Sequence, residues 1–198
     1  MTKKKTDVYK ADALLIGELR EDWHEIVLDG KKYWGNTVCV RRSSGYVDEV
    51  PIYEVGHEFS EFKKGDNVCV HGILHTFLKR RNGVSKMLVC ATSVVASNSS
   101  PCNIVNVAGA VCSKPVYRET PRGSRIADLL LAVDYKRGSA YLHSVVWNEN
   151  AVKCQGLEVG DFVKCTGSFH SRKYLKPVDG GVEERVAYEC SFRDINWE

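Results

Sequence analysis

The sequence predicts an all-β protein built from two halves of similar design. Val, Ile, Tyr and Cys recur in short stretches that Gly, Asn, Asp and Ser interrupt, which is typical of strands joined by turns. Stretches with the spacing of a helix are few. One pattern of Gly, Asp, Val and His occurs twice along the chain, so we expect the same arrangement of strands in each half.

Nine stretches have the composition of strands. They are residues 37–42, 47–53, 67–74, 85–95, 103–111, 126–135, 140–147, 162–169 and 185–195. Residues 57–64 and 148–156 could each form a short helix. The stretch at 97–102, rich in Ser, Asn and Pro, indicates a linker between a domain at 1–96 and a domain at 103–198.

The repeat supports this division. Gly65-Asp66-x-Val68-x-x-x-Gly72-x-x-His75 matches Gly160-Asp161-x-Val163-x-x-x-Gly167-x-x-His170 with the same internal spacing, which indicates a duplication. The Gly-Asp pair suits a sharp reversal into a strand. The inner glycine suits a bend or bulge of a small barrel. Five strands with a helix between the third and fourth form an OB-fold, so the sequence predicts two tandem OB-fold barrels, each with one short helix.

Composition narrows the function. The 28 basic and 25 acidic residues give a net charge of +3, which permits a polyanionic partner without requiring one. The eight cysteines include no C-x-x-C pair and lie mostly in apolar runs, so we expect buried free thiols and no bound metal. With no secretory signal and no long apolar run, we expect a cytoplasmic protein that does not enter a membrane. No catalytic or nucleotide-binding motif is present, so we expect neither an enzyme nor a cofactor.

The second half resembles the bacterial single-stranded DNA-binding protein family. The matching residues follow in order along 103–195: Asn103 to Gly109, Pro115 to Gly123, Leu131-Ala132-Val133, Leu142 to Trp147, Ala151, Gly160-Asp161-x-Val163, Gly167, Arg172-Lys173-Tyr174 and Tyr188-Glu189. The first half is similar only through the Gly-Asp repeat, Gly72 and the strand order. Primosomal replication proteins, which share the barrel, are the nearest alternative relatives.

The resemblance implies sequence-independent binding of single-stranded DNA in replication, recombination or repair. It also implies a homodimer presenting four barrels, since two barrels per chain is a known variation of the family. The family's acidic recruiting tail has no counterpart after Arg193-Asp194-Ile195-Asn196-Trp197-Glu198, so we do not carry its protein partners over.

Binding of this kind needs aromatic faces for bases and cations for phosphates. The resemblance places stacking rings at Tyr141, Trp147 and Tyr174 and phosphate contacts at Arg172 and Lys173. Further candidates are aromatic or basic residues near strand ends and loops: Tyr135, Arg137, Arg118, Arg122, Phe77, Lys79, Arg80, Arg81 and Tyr53.

Each candidate also has a structural alternative. Trp147 lies two residues after Val145, so on an unbroken strand both face one side and the indole could belong to the core. The run from Lys79 to Arg81 is either a phosphate contact or a solvated hairpin tip. The fold itself also serves as a protein-interaction adaptor in a primosome-like assembly or as an oligosaccharide-binding barrel.

Overall fold

A computed structural model describes residues 9–78, 85–136, 138–178 and 181–197. These residues form a 12-stranded sheet with one short helix, α1 (Asn148–Lys153), which a 3-10 turn (Cys154–Gly156) extends. The strands are β1 (Lys10–Leu19), β2 (His24–Leu28), β3 (Lys31–Arg41), β4 (Val47–Glu54), β5 (Asn67–Leu78), β6 (Ser85–Ala96), β7 (Cys102–Val111), β8 (Val116–Glu119), β9 (Arg125–Tyr135), β10 (Gly138–Trp147), β11 (Phe162–Val178) and β12 (Gly181–Trp197).

Strand pairing closes on itself within each half. In the first half the circuit runs β1–β3–β4–β6–β5 and back to β1, with β4 and β6 parallel. In the second half it runs β7–β9–β10–β12–β11 and back to β7, with β10 and β12 parallel. β2 and β8 lie outside these circuits, on β3 and β9. Each half therefore has five strands in a closed circuit and one additional strand.

The two halves join through an antiparallel pairing of β1 with β7. The strand order is β2-β3-β4-β6-β5-β1-β7-β11-β12-β10-β9-β8. Each strand of the first half has a counterpart in the second half whose number is higher by six, and the two sets run in opposite directions from the centre of the sheet. An approximate two-fold axis therefore passes through the β1–β7 pairing, near the Ala13–Val105 pair.

The repeated residues have the structural roles that the sequence predicts. Gly65 and Gly160 have φ values of 90° and 98°, in the region that favours glycine, and each begins the reversal into β5 or β11. Gly72 and Gly167 lie at register shifts in β5 and β11, where a Cβ atom would collide with the carbonyl of Cys90 or Ser191. The predicted bulges are confirmed.

The predicted helix at 148–156 is confirmed, whereas the one predicted at 57–64 is wrong. Residues 58–61 form a turn instead. The buried carboxylate of Glu54 accepts hydrogen bonds from the backbone N–H groups of Glu58 and Phe59, at 2.7 and 3.2 Å, and fixes that turn. His57, just before it, has φ 58°. Among the described residues the first half therefore has no helix.

Strands missing from the sequence prediction have identifiable reasons. β1 contains two Ala, three Leu and one Asp, residues with low or moderate strand preference. β2 and β8 are short and mostly exposed. β11 and β12 extend beyond the predicted 162–169 and 185–195 because their outer parts leave the barrel, so the alternation of buried and exposed residues stops there.

Polar contacts between the halves lie around Asp48, whose side chain is 1% exposed. Its carboxylate accepts two hydrogen bonds from the Arg42 guanidinium and one from the backbone N–H of Ser171, at 3.0 Å. The Glu49 N–H donates to Ser171 Oγ at 2.8 Å, and the Tyr141 N–H donates to Thr76 Oγ1 at 3.0 Å on the related side. β4 thus contacts β11 of the second half, and β10 contacts β5 of the first half.

Candidate nucleic-acid interface

The outward side of β10 carries two exposed aromatic rings. Leu142, Ser144 and Val146 point into the barrel and are buried. The alternating residues Tyr141 and Trp147 are 47% and 38% exposed. At about 3.3 Å per residue the two rings stand about 20 Å apart along one strand, a spacing that several nucleotides would fill.

Trp147 ends the strand. Asn148 follows with φ 56°, and the helix α1 begins there, so the chain turns away before the indole is covered. The Nε1–H group of Trp147 donates a hydrogen bond to Ser191 Oγ on β12, at 2.8 Å. Val145 is buried although it shares the side of the strand. The indole is therefore a fixed, partly exposed ring rather than a core residue.

The β11–β12 hairpin extends this surface. Ser191 pairs with Val145 of β10 and with Ser168 of β11, which aligns the outward sides of the three strands. Steps of two residues from Ser168 place Arg172 and Tyr174 on that same side. Tyr174 is 37% exposed and lies opposite Arg185 in the register of the hairpin.

Lys173 lies on the opposite side of the hairpin and forms an ion pair with Glu184 at 3.3 Å. Both side chains are more than half exposed, so this pair contributes little to stability and can exchange for a phosphate. Arg172 has no carboxylate partner among the described residues, which leaves its guanidinium available.

The two arginines near β8 differ from each other. Arg118 donates two hydrogen bonds to the Asp128 carboxylate, at 2.8 and 3.1 Å, and this pairing raises the pKa of Arg118. Arg122 lies exposed in the turn between β8 and β9, without a carboxylate partner in the described part of the chain. Arg118 is therefore occupied by Asp128, whereas Arg122 has no such partner among the described residues.

Three aromatic candidates pack against other rings instead of standing exposed on the surface. They belong to an aromatic cluster formed by Tyr33, Tyr53, His75, Phe77 and Tyr135. The ring centroids of its contacting pairs are 4.9 to 5.9 Å apart. Tyr53 is 5% exposed, and the Tyr135 hydroxyl donates to the carbonyl of Leu74 at 2.6 Å. Burial raises the pKa of both tyrosine hydroxyls. The ring of Tyr53 is thus buried, and those of Phe77 and Tyr135 are half-buried in the cluster.

Four predicted residues, Lys79, Arg80, Arg81 and Arg137, lie outside the described residues. Two described residues were missed by the sequence analysis. Arg185 joins the surface because it pairs with Tyr174 across the hairpin, which becomes visible only once the strand register is known. Tyr46 is exposed next to Arg42, whose guanidinium lies 4.8 Å from the ring centroid, and its hydroxyl donates to the carbonyl of Ser171.

No group of three or more His, Cys, Asp or Glu side chains suited to a metal ion occurs among the residues that the structure describes. The same residues include no helix long and apolar enough to cross a membrane.

Comparisons with known proteins identify the fold. No family model and no curated protein matches the sequence. The solved structures that match include the wild-type single-stranded DNA-binding protein of Thermus aquaticus and a deletion mutant of it that carries a substitution. Both have a TM-score of 0.74 and 20% sequence identity, and the match covers 96% of this chain and 94% or 95% of those chains. The chain therefore has the fold of the Thermus aquaticus single-stranded DNA-binding protein over almost its whole length, as the resemblance in the sequence predicted.

Proposed function

We propose that this chain is a non-catalytic protein that binds single-stranded DNA without reading its sequence. The observation that carries the proposal is the shared surface of β10 and the β11–β12 hairpin, where Tyr141, Trp147 and Tyr174 expose their rings beside Arg172. Such rings stack on any base, and cations follow the phosphates. The fold supports the same function, because the Thermus aquaticus protein that shares it is a single-stranded DNA-binding protein.

The two closed circuits of strands support two tandem OB-fold barrels as the architecture, with domains at 1–96 and 103–198. Residues 97–101 between them lack regular secondary structure, as expected of the predicted linker at 97–102. β7 already begins at Cys102, so we place the domain boundary within 97–101.

The outward side of the central strands supports the homodimer. Ile73 and Val95 are exposed there, and Leu14, Ile16 and Ile104 are half-buried. These side chains form an apolar sheet surface that a second copy of the chain would cover, and two-fold pairing is the commonest form of assembly. The eight free thiols support a reducing compartment, the cytoplasm.

The test is a titration of the protein into fluorescently labelled oligo-dT of about 35 nucleotides, at low and high salt, with the matching duplex as control. We expect tight binding to the single strand that weakens with salt, and little binding to the duplex. Trp147→Ala and Tyr174→Ala should each weaken binding by about fivefold to a hundredfold, the range that one stacked base provides.

Absence of binding at low salt would refute the proposal. A protein-interaction adaptor would then be the better account of the fold.

A further inference from the structure

The two halves can be compared residue by residue on the side that carries the proposed interface. Tyr53 pairs with Cys90 and Val145 pairs with Ser191. Cys90 and Ser191 each immediately precede the residue opposite the bulge glycine, so Tyr53 and Val145 occupy equivalent positions. Residues on β4 and β10 at the same distance from this pair are therefore equivalent as well.

The stacking residues of β10, Trp147 and Tyr141, have no aromatic counterparts on the first half's β4 and the residue after it. Val55, which is 72% exposed, stands where Trp147 stands. Glu49 stands where Tyr141 stands, and its carboxylate forms an ion pair with Arg20. An isopropyl group and a paired carboxylate provide no face for a base, and the carboxylate repels phosphate.

The phosphate contact is replaced too. Phe77 and Arg172 each lie five residues beyond the bulge glycine of their strand, Gly72 or Gly167. Instead of a cation, the first half has a phenyl ring that packs against Tyr53, with centroids 5.3 Å apart, and against Tyr33 at 5.9 Å.

These rings close the equivalent surface of the first half. Tyr53 lies on the outward side of β4, where a base would stack, but it is buried beneath Tyr33 and Phe77. Leu28 and Leu88 complete this small apolar cluster. The exposed ring of Tyr46 lies apart, since its hydroxyl is bonded to the second half at Ser171. The cluster covers the outward side of β4, as bound bases would cover the outward side of β10.

We infer that bases stack on the second half alone, and that the aromatic side chains of the first half close its equivalent surface against nucleic acid. The inference rests on the proposed function and specifies where on the chain that function resides. Each chain then holds a single strand of DNA along one track, and the first half serves to support the second.

The test counts strands by native mass spectrometry with oligo-dT of about 10 nucleotides, within the span of one OB-fold barrel. We expect one oligonucleotide per chain at saturation. Two per chain would overturn the inference while leaving the proposed function intact, and no binding at all would overturn both.

Matched substitutions at equivalent positions give an independent readout. Trp147→Ala and Tyr141→Ala should each weaken binding about tenfold, whereas Val55→Ala and Glu49→Ala should leave the affinity within about twofold of the unmodified chain. Phe77→Leu keeps an apolar side chain in the cluster, and it should also leave the affinity unchanged. Weakening by Val55→Ala or Phe77→Leu comparable to that by Trp147→Ala, in variants with an unchanged melting temperature, would overturn the inference.

Discussion

The indole of Trp147 is anchored by Ser191, through a hydrogen bond of 2.8 Å from Nε1–H to Oγ. Ser191 is buried on β12, a strand far from Trp147 in sequence but parallel and adjacent to β10 in space. The contact fixes the ring at the end of its strand before any ligand arrives.

Ser191→Ala should therefore weaken the binding of oligo-dT without removing the stacking ring. The lost hydrogen bond is worth about 0.5–1.5 kcal/mol, so we expect a loss of affinity of about twofold to tenfold. Indole fluorescence should also change in the free protein, because the ring loses its partner. Ser93→Ala, on the related strand of the first half, is the control; an equal loss of affinity in both variants would contradict the anchoring role.

Arg172→Ala should flatten the salt dependence of binding. Its guanidinium has no carboxylate partner among the described residues, so it can neutralise a phosphate, and one phosphate contact contributes about 0.7 to the slope of log affinity against log salt for single strands. Arg118→Ala should change the slope less, because Asp128 already holds that guanidinium. Titrations at several salt concentrations measure both slopes, and equal changes would show that the ion pair does not restrict Arg118.

Asp48→Asn should destabilise the chain by about 2 kcal/mol. It replaces a buried carboxylate with a neutral amide and so weakens the hydrogen bonds that join the two halves. The expected loss is below that of a fully buried pair because Arg42 is partly exposed. Denaturant unfolding measures the free energy. Asp128→Asn removes an exposed pair with Arg118 and should cost less than about 1 kcal/mol. A similar small effect at Asp48 would mean that the contact between the halves does not depend on this charge.

Stability should fall in mild acid through His170. Burial, and then the nearby Arg42 guanidinium, lower the pKa of His170 below its ordinary value of 6.5, while Asp48 opposes them. As pH drops below 6.5, the unfolded chain therefore binds more protons than the folded chain, and the free energy of unfolding decreases. Above that pH both states hold a neutral His170, and no stability is lost through it. His170→Gln should flatten this decrease, which denaturant unfolding at several pH values measures. Identical pH profiles for the unmodified chain and His170→Gln would exclude the contribution.

Gly167→Ala should destabilise the second half by about 1–3 kcal/mol, because a methyl group there collides with the carbonyl of Ser191. Gly156→Ala is the control, since nothing lies within 4 Å of a Cβ at that position. Thermal unfolding separates the two variants. Equal melting temperatures would mean that the bulge accommodates a side chain.

The sequence was sufficient where local pattern determines structure. Alternation of apolar residues located the circuit strands other than β1, and the repeat located the bulges at Gly72 and Gly167. The helix α1 followed from its own residues. β1 was missed because its alanines and Asp12 have little strand preference, and its place in the sheet comes from pairing with β5 and β7 on either side.

The candidate site was predictable only in part, because a sequence does not show what covers a ring. Trp147 and Tyr53 both follow apolar strand residues, yet one is exposed and the other buried. The difference comes from Tyr33 and Phe77, which approach Tyr53 from other strands. Contacts between the halves, such as that of Asp48 with Ser171, depend likewise on chain segments distant in sequence.

The joining of the halves through β1 and β7 affects how the two halves can diverge from each other in sequence. A symmetric dimer of identical subunits repeats every substitution on both sides of its axis, and dilution can separate its subunits. Here one polypeptide supplies both sides, so the two halves stay together at any concentration. A substitution in one half is not repeated in the other. One side of the axis is then free to lose a ligand surface and gain a packed core while the other side keeps the surface intact.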